Sequence, residues 1–266
     1  MVVMKKTMKA PALIVAVVAA ATATAQDQQA AAPDTRVIPR NEFGHISFAG
    51  SKENPGNWNG LLGSLANRQP NQRGNIPENM PYDQVPFQDW AREEHAARTA
   101  LGGANDPHTR CKPSGGARMF HTPYGMEILD VGDTVFMMGV GSPHSWRQIH
   151  MDGRAHPANP DPGFYGHSVG HWEGDTLVVD TVGFLGDEQF WISRDGFPHT
   201  EQLHTIEKFS RPDFDTLRYE LTIDDPGAYT QTWTGGWFLT FGEGNEPFDY
   251  LCQENNLDPQ RMTGTE

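Results

Sequence analysis

The chain has 266 residues, of which 37% are hydrophobic and 20% charged, with a formal net charge of −14. A surface this acidic repels phosphate backbones and anionic lipid heads, whose binding depends on clustered Lys and Arg. Nucleic acid and membrane surfaces are therefore excluded as partners, and a small-molecule substrate or ligand is expected instead.

The first segment, residues 1–25, places Lys5, Lys6 and Lys9 before an apolar run and ends on Ala23-Thr24-Ala25. That is the layout of a secretory signal peptide, so a periplasmic or secreted protein is expected. Its removal takes away three lysines and no acid, and the charge becomes more negative still. Residues 26–37 read as a linker rich in Gln and Ala. Residues 38–86, with many Asn, Pro and Gly and no sustained periodicity, read as irregular chain draped over a core built elsewhere. Pro86 before and Gly102 after the stretch 87–101 mark one short helix. Together residues 26–104 form a long irregular extension.

From Gly125 onward short apolar runs alternate with turn signals. Strands are predicted at 126–130, 134–140, 146–151, 167–172, 176–182, 202–209, 216–223 and 232–239. The pattern predicts a mainly β domain over residues 105–256, an antiparallel β-barrel of lipocalin-like or calycin-like kind or a β-sandwich, followed by a C-terminal tail at 257–266. Cys111 and Cys252 are the only cysteines. Pairing them closes a loop of about 140 residues, for which chain entropy gives on the order of 5 kcal/mol. A disulfide is expected, and a paired Cys cannot serve as a nucleophile.

The most informative stretch is GHSVGHWEGDTLVVDTVGF, Gly166–Phe184. With Gly174-Asp175 as a two-residue turn, His167 faces Val182, Val169 faces Asp180, His171 faces Val178 and Trp172 faces Leu177. One face of the hairpin then carries Trp172, Leu177, Val179 and Thr181. The other carries His167, Val169, His171, Val178, Asp180 and Val182. Two histidines four apart on a strand are about 13 Å apart at Cα, too far to share one ion. Asp180 is diagonal to each at roughly 7–8 Å and can orient an imidazole. A His held by a carboxylate is a general acid/base arrangement.

Seven of the eleven histidines lie between His144 and His204. In WRQIHMDGRAHP, Trp146, His150 and Asp152 share one strand face and Arg147 takes the other, with Asp152-Gly153 as a turn. Arg147, Arg154 or His156 can grip an anionic group or sugar hydroxyls, unless Asp152 and Arg154 merely brace the turn. Further along, His199, Glu201, His204 and Glu207 spread over a loop and an entering strand, with His204 and Ile206 on one face and Leu203 and Glu207 on the other. Trp172 is a candidate pocket wall or a core residue.

At RQIHMDGRAHP, GHSVGHWEGDTLVVDTVGF, PHTEQLHTIEKF, TIDDPGAYT and YLCQENN the sequence resembles a large family of exported bacterial proteins, most without an assigned activity. The likeness covers about 105–256. It implies export, supplies no catalytic residue, and places Arg often at the position of His171.

The residues point to an enzyme acting by acid/base chemistry on a small sugar-derived or aromatic compound, as a lyase, hydrolase or isomerase. His167 moves the proton, Asp180 orients it, and His204 or Glu201 is the complementary acid or base. Arg147, Arg154, His156, Trp172 and His199 contact the substrate. No cofactor is expected. The alternatives are a divalent metal held by His199, His204 and His167, or a lipocalin-like carrier of an apolar molecule.

Overall fold

The computed structural model describes residues 36–60, 63–122, 124–139, 146–246, 248 and 252. The expected leader, most of the linker, His144 and the C-terminal tail lie outside them. Nine strands close into one barrel in chain order: β1 Gly56–Asn59, β2 Met126–Asp130, β3 Thr134–Gly139, β4 Trp146–His150, β5 His167–Glu173, β6 Thr176–Val182, β7 His204–Ser210, β8 Thr216–Asp224 and β9 Trp233–Glu243. The helix α1 spans Asp89–Ala100. Among the described residues no helix is long and apolar enough to cross a membrane. Cys111 and Cys252 form a disulfide.

Two expectations are corrected. The irregular segment supplies a strand, because β1 joins β2 to β9 and closes the sheet. Its sequence Gly-Asn-Trp-Asn is short and carries neither alternation nor β-branched residues, so only the partners on either side make it a strand. Nor is the barrel antiparallel throughout. β4 and β5 are parallel, with Ile149 beside Ser168 and His150 beside Val169. Asp152-Gly153 therefore turns no hairpin. Residues 151–166 double back along the barrel, pinned by the Gly163 amide to the Gly183 carbonyl and the Leu185 amide to the Gly163 carbonyl.

The hairpin register is as the sequence predicts, from Glu173 opposite Thr176 to His167 opposite Val182. Gly174, the first of the two turn residues, has φ 61°, which a type II′ hairpin reserves for glycine. Leu177, Val179 and Thr181 are buried on the inner face, while His167 and Asp180 are half-buried on the outer one. Inside, Phe120, on a short 3-10 turn at Gly116–Phe120, packs its ring against Phe209 and Tyr219. Tyr219 in turn meets Trp237.

The interior also encloses an ion pair. Arg147 donates from Nη1 to Glu207 Oε1 at 3.0 Å and from Nη2 to Glu207 Oε2, with Nε to Ser168 Oγ at 3.0 Å and Nη2 to Thr181 Oγ1 at 2.6 Å. Tyr219 donates to Glu207 Oε1 at 2.9 Å. Burial pulls the guanidinium pKa down, but the Glu207 charge and hydrogen bonds outweigh it and hold it above the ordinary value. Burial and the same carboxylate push the Tyr219 hydroxyl well up.

Candidate acid/base site

The outward rows of β4, β5, β6 and β7 bring His150, His167, Asp180 and His204 to one patch of the barrel wall. The doubling back of residues 151–166 lays His156 over them. Gly166 makes this possible: its φ is 59°, and a Cβ there would stand 2.5 Å from the Val182 carbonyl oxygen. Only glycine turns the chain tightly enough into β5 at that point.

Asp180 Oδ1 accepts from two rings, His204 Nε2 at 2.8 Å and His156 Nε2 at 3.1 Å. The other nitrogen of His156, Nδ1, lies 2.8 Å from His167 Nδ1. A carboxylate only accepts, so the His156 proton facing it sits on Nε2. Neutral His156 then presents a lone pair at Nδ1, and the proton between the two rings belongs to His167 Nδ1. The remaining nitrogen of His167, Nε2, carries a lone pair. The His150 ring lies 5.3 Å from that of His167. Burial, then the neighbouring His156 and His150, lower the His167 pKa from its ordinary value. Both effects favour the neutral, proton-accepting ring.

A cleft of about 250 Å³ opens beside this ring, lined among others by Trp146, Gln148, His150, Tyr165 and His167. Across the sheet, Asp180 and His204 are each 37% exposed and His156 21%, so the chain of rings reaches from the wall to solvent.

The other expected residues lie elsewhere. Arg147 faces inward and is committed to Glu207. Arg154 is exposed and grips Asp152, with Nε 2.9 and 3.0 Å from the two carboxylate oxygens. That bond, outweighing the residue's slight desolvation, holds the Asp152 carboxyl down to about 2. His171 points to solvent beside Glu173 at 3.3 Å. Glu201 is exposed on the turn before β7. Trp172 faces inward, stacked on His45 with ring centres 4.4 Å apart. His199 is buried, its Nε2 2.9 Å from the Phe190 carbonyl oxygen and its Nδ1 3.2 Å from that of Thr200. Among the described residues no group of three or more His, Cys, Asp or Glu is arranged to hold a metal ion.

One motif match needs its structural context. Gly166 to Gly170 spell G-x-S-x-G, the spacing of a nucleophile elbow, whose serine is exposed on a strand-to-helix turn. Ser168 is instead within β5, buried, and bonded to Arg147 and Thr181. It is part of the interior network and not an exposed nucleophile.

No known protein family, curated protein or solved structure matches the chain. The site is therefore read from its own geometry. That geometry adds His156 and His150 to the residues read as acid/base groups from sequence. The signal for His156 is the parallel pairing of β4 and β5, which hydrophobic alternation does not report.

Proposed function

We propose that the protein is an exported enzyme that takes a weakly acidic proton from a small organic molecule, with His167 Nε2 as general base. The reading rests on one observation: the line of hydrogen bonds from Asp180 through His156 to His167, which leaves the base nitrogen bare and next to a cleft. The substrate proton moves to Nε2. The positive charge this creates is spread by the His167 Nδ1–H bond to His156 and by the carboxylate beyond it. His204, whose Nε2–H is bonded to the same carboxylate, helps hold Asp180 in place behind His156. Returning the proton from His167 at another atom isomerises the substrate; expelling a leaving group, which then takes the proton from His167, makes the reaction an elimination; and deprotonating a water that attacks the substrate, with the leaving group taking the proton, makes it a hydrolysis. The apolar, Lys-led residues 1–25 and the disulfide support export.

The test is nitrogen NMR of the imidazoles at neutral pH. His167 is expected as the Nδ1–H tautomer, and His156 and His204 as Nε2–H. An Nε2–H tautomer at His167 would overturn the assignment of the base. In an assay panel of eliminations, isomerisations and hydrolyses, His167→Gln is expected to lower turnover by about 10²-fold or more with the thermal midpoint nearly unchanged.

A further inference from the structure

The histidine cleft does not end at His150. Along the outer row of β4 stand Trp146, Gln148 and His150, and the neighbouring rows of β3 and β2 continue it with apolar groups. Met138 is directly opposite Trp146, and Phe136 is opposite both Gln148 and Leu129. Trp146 is 58% exposed and Met138 39%, while Phe136 and Leu129 are half-buried. On the outside of a barrel whose chain carries a net charge of −14, a joined apolar strip of this kind marks a contact surface.

Its distance from the base sets what fits. The parallel register puts His150 level with Val169, so Gln148 is level with His167 one step back along both strands. Trp146 is a further two residues along β4, about 6.6 Å, on a strand about 4.8 Å away. The Trp146 and His167 backbones are thus about 8 Å apart on the diagonal, so the two side chains border the same small cleft. The cleft volume of about 250 Å³ agrees with a single ring.

The chemistry around the cleft narrows the class. Beyond Trp146 the wall offers the Met138 thioether and the Phe136 ring; its polar side chains are the Gln148 amide, level with His167, and Glu127, paired with Met138 on the next strand, whose carboxylate disfavours an anionic ligand. Both nearby arginines are already paired, Arg147 with Glu207 inside the barrel and Arg154 with Asp152. Asp180 stands behind the base. Among the described residues lining the cleft, an anionic group gains no free cation.

We propose that the cleft binds a neutral monocyclic aromatic compound bearing a hydroxyl group, its ring lying against Trp146 and Met138 and its hydroxyl hydrogen-bonded to His167 Nε2. This rests on His167 Nε2 being the bare nitrogen, as argued above. Ring stacking on the indole supplies most of the binding and the hydroxyl sets the orientation.

The experiment is a titration of the whole protein, followed by NMR of the Trp146 indole N–H and the His167 ring, with phenol as one probe and methyl β-D-glucopyranoside as the other. Phenol is expected to shift both signals and to saturate, and the glucoside to move neither. Trp146→Ala and Met138→Glu, both at exposed positions, are each expected to weaken phenol about tenfold. The proposal is overturned if the glucoside shifts these signals and phenol does not, if phenol shifts neither, or if both variants bind phenol as the wild type does. The tautomer of His167 without ligand separates the two ideas. An Nδ1–H tautomer with no phenol response removes the substrate class and leaves the base in place, whereas an Nε2–H tautomer removes both.

Discussion

The proton on His167 is placed by Asp180, two hydrogen bonds away, because a carboxylate can accept but not donate. Replacing that carboxylate removes the reason for the whole order. Asp180→Asn keeps the shape but offers an amide, which can also donate, and leaves a protonated His167 with no negative charge behind it. Turnover is expected to fall about 10²-fold or more. The pH profile follows from the same residues. Burial and the His156 and His150 charges lower the His167 pKa, and the base works unprotonated. Activity should therefore rise with pH through a midpoint below the ordinary imidazole value of about 6.5 and stay level above it. His150 lies 5.3 Å from His167 but takes no part in the hydrogen-bonded line. His150→Gln removes one of the charges that hold the pKa down, so the midpoint should move up. A midpoint that stays put in kcat/KM profiles of this variant would mean that another group controls the rate.

At the scale of elements, α1 is held by a buried histidine. His95 is fully enclosed, with the Tyr82 hydroxyl 2.7 Å from its Nδ1 and the rings of Phe197 and Phe87 at 4.7 and 5.4 Å. Burial, chiefly, lowers its pKa to about 4. In the unfolded chain the ring takes a proton near 6.5. Between those values the unfolded state binds the extra proton, so stability is complete above about 6.5, falls as the pH drops, and levels off below about 4. The loss reaches on the order of 3 kcal/mol. His95→Leu should flatten this part of the urea-midpoint curve relative to wild type; parallel curves would show that the carboxylates alone carry the acid sensitivity. The same scale explains what could be read from the sequence. The Gly-Asp turn fixed a register in which every partner of His167 to Glu173 is correct, and alternation placed Arg147 and Glu207 on the faces opposite Trp146 and His204. Alternation is local. It could not report that Arg147 and Glu207 meet across the barrel, that β4 and β5 run parallel, or that His156 is thereby laid between His167 and Asp180. β1 escaped for a related reason, since Gly-Asn-Trp-Asn becomes a strand only through pairing with a distant β9.

For the whole molecule, the disulfide encloses β2 to β9 in one covalent loop, with Cys111 and Cys252 separated by 141 positions in sequence and their Cα atoms 5.4 Å apart. β1 lies outside that loop and is held to β9 and β2 by pairing alone. A cross-link of this length restricts the unfolded chain far more than the folded one, and its removal typically costs about 2–4 kcal/mol. Cys111→Ser with Cys252→Ser should lower the thermal midpoint by about 5–15 °C, and a thiol reductant should bring the wild type to the same value. Neither cysteine touches the histidine line, which is set by β5, β6, β7 and the 151–166 connection. The double variant should thus keep the His167 tautomer and the lowered pH midpoint while losing stability. If the tautomer changes along with the midpoint, the bridge does more than restrict the unfolded chain, because the register of the barrel wall then depends on it.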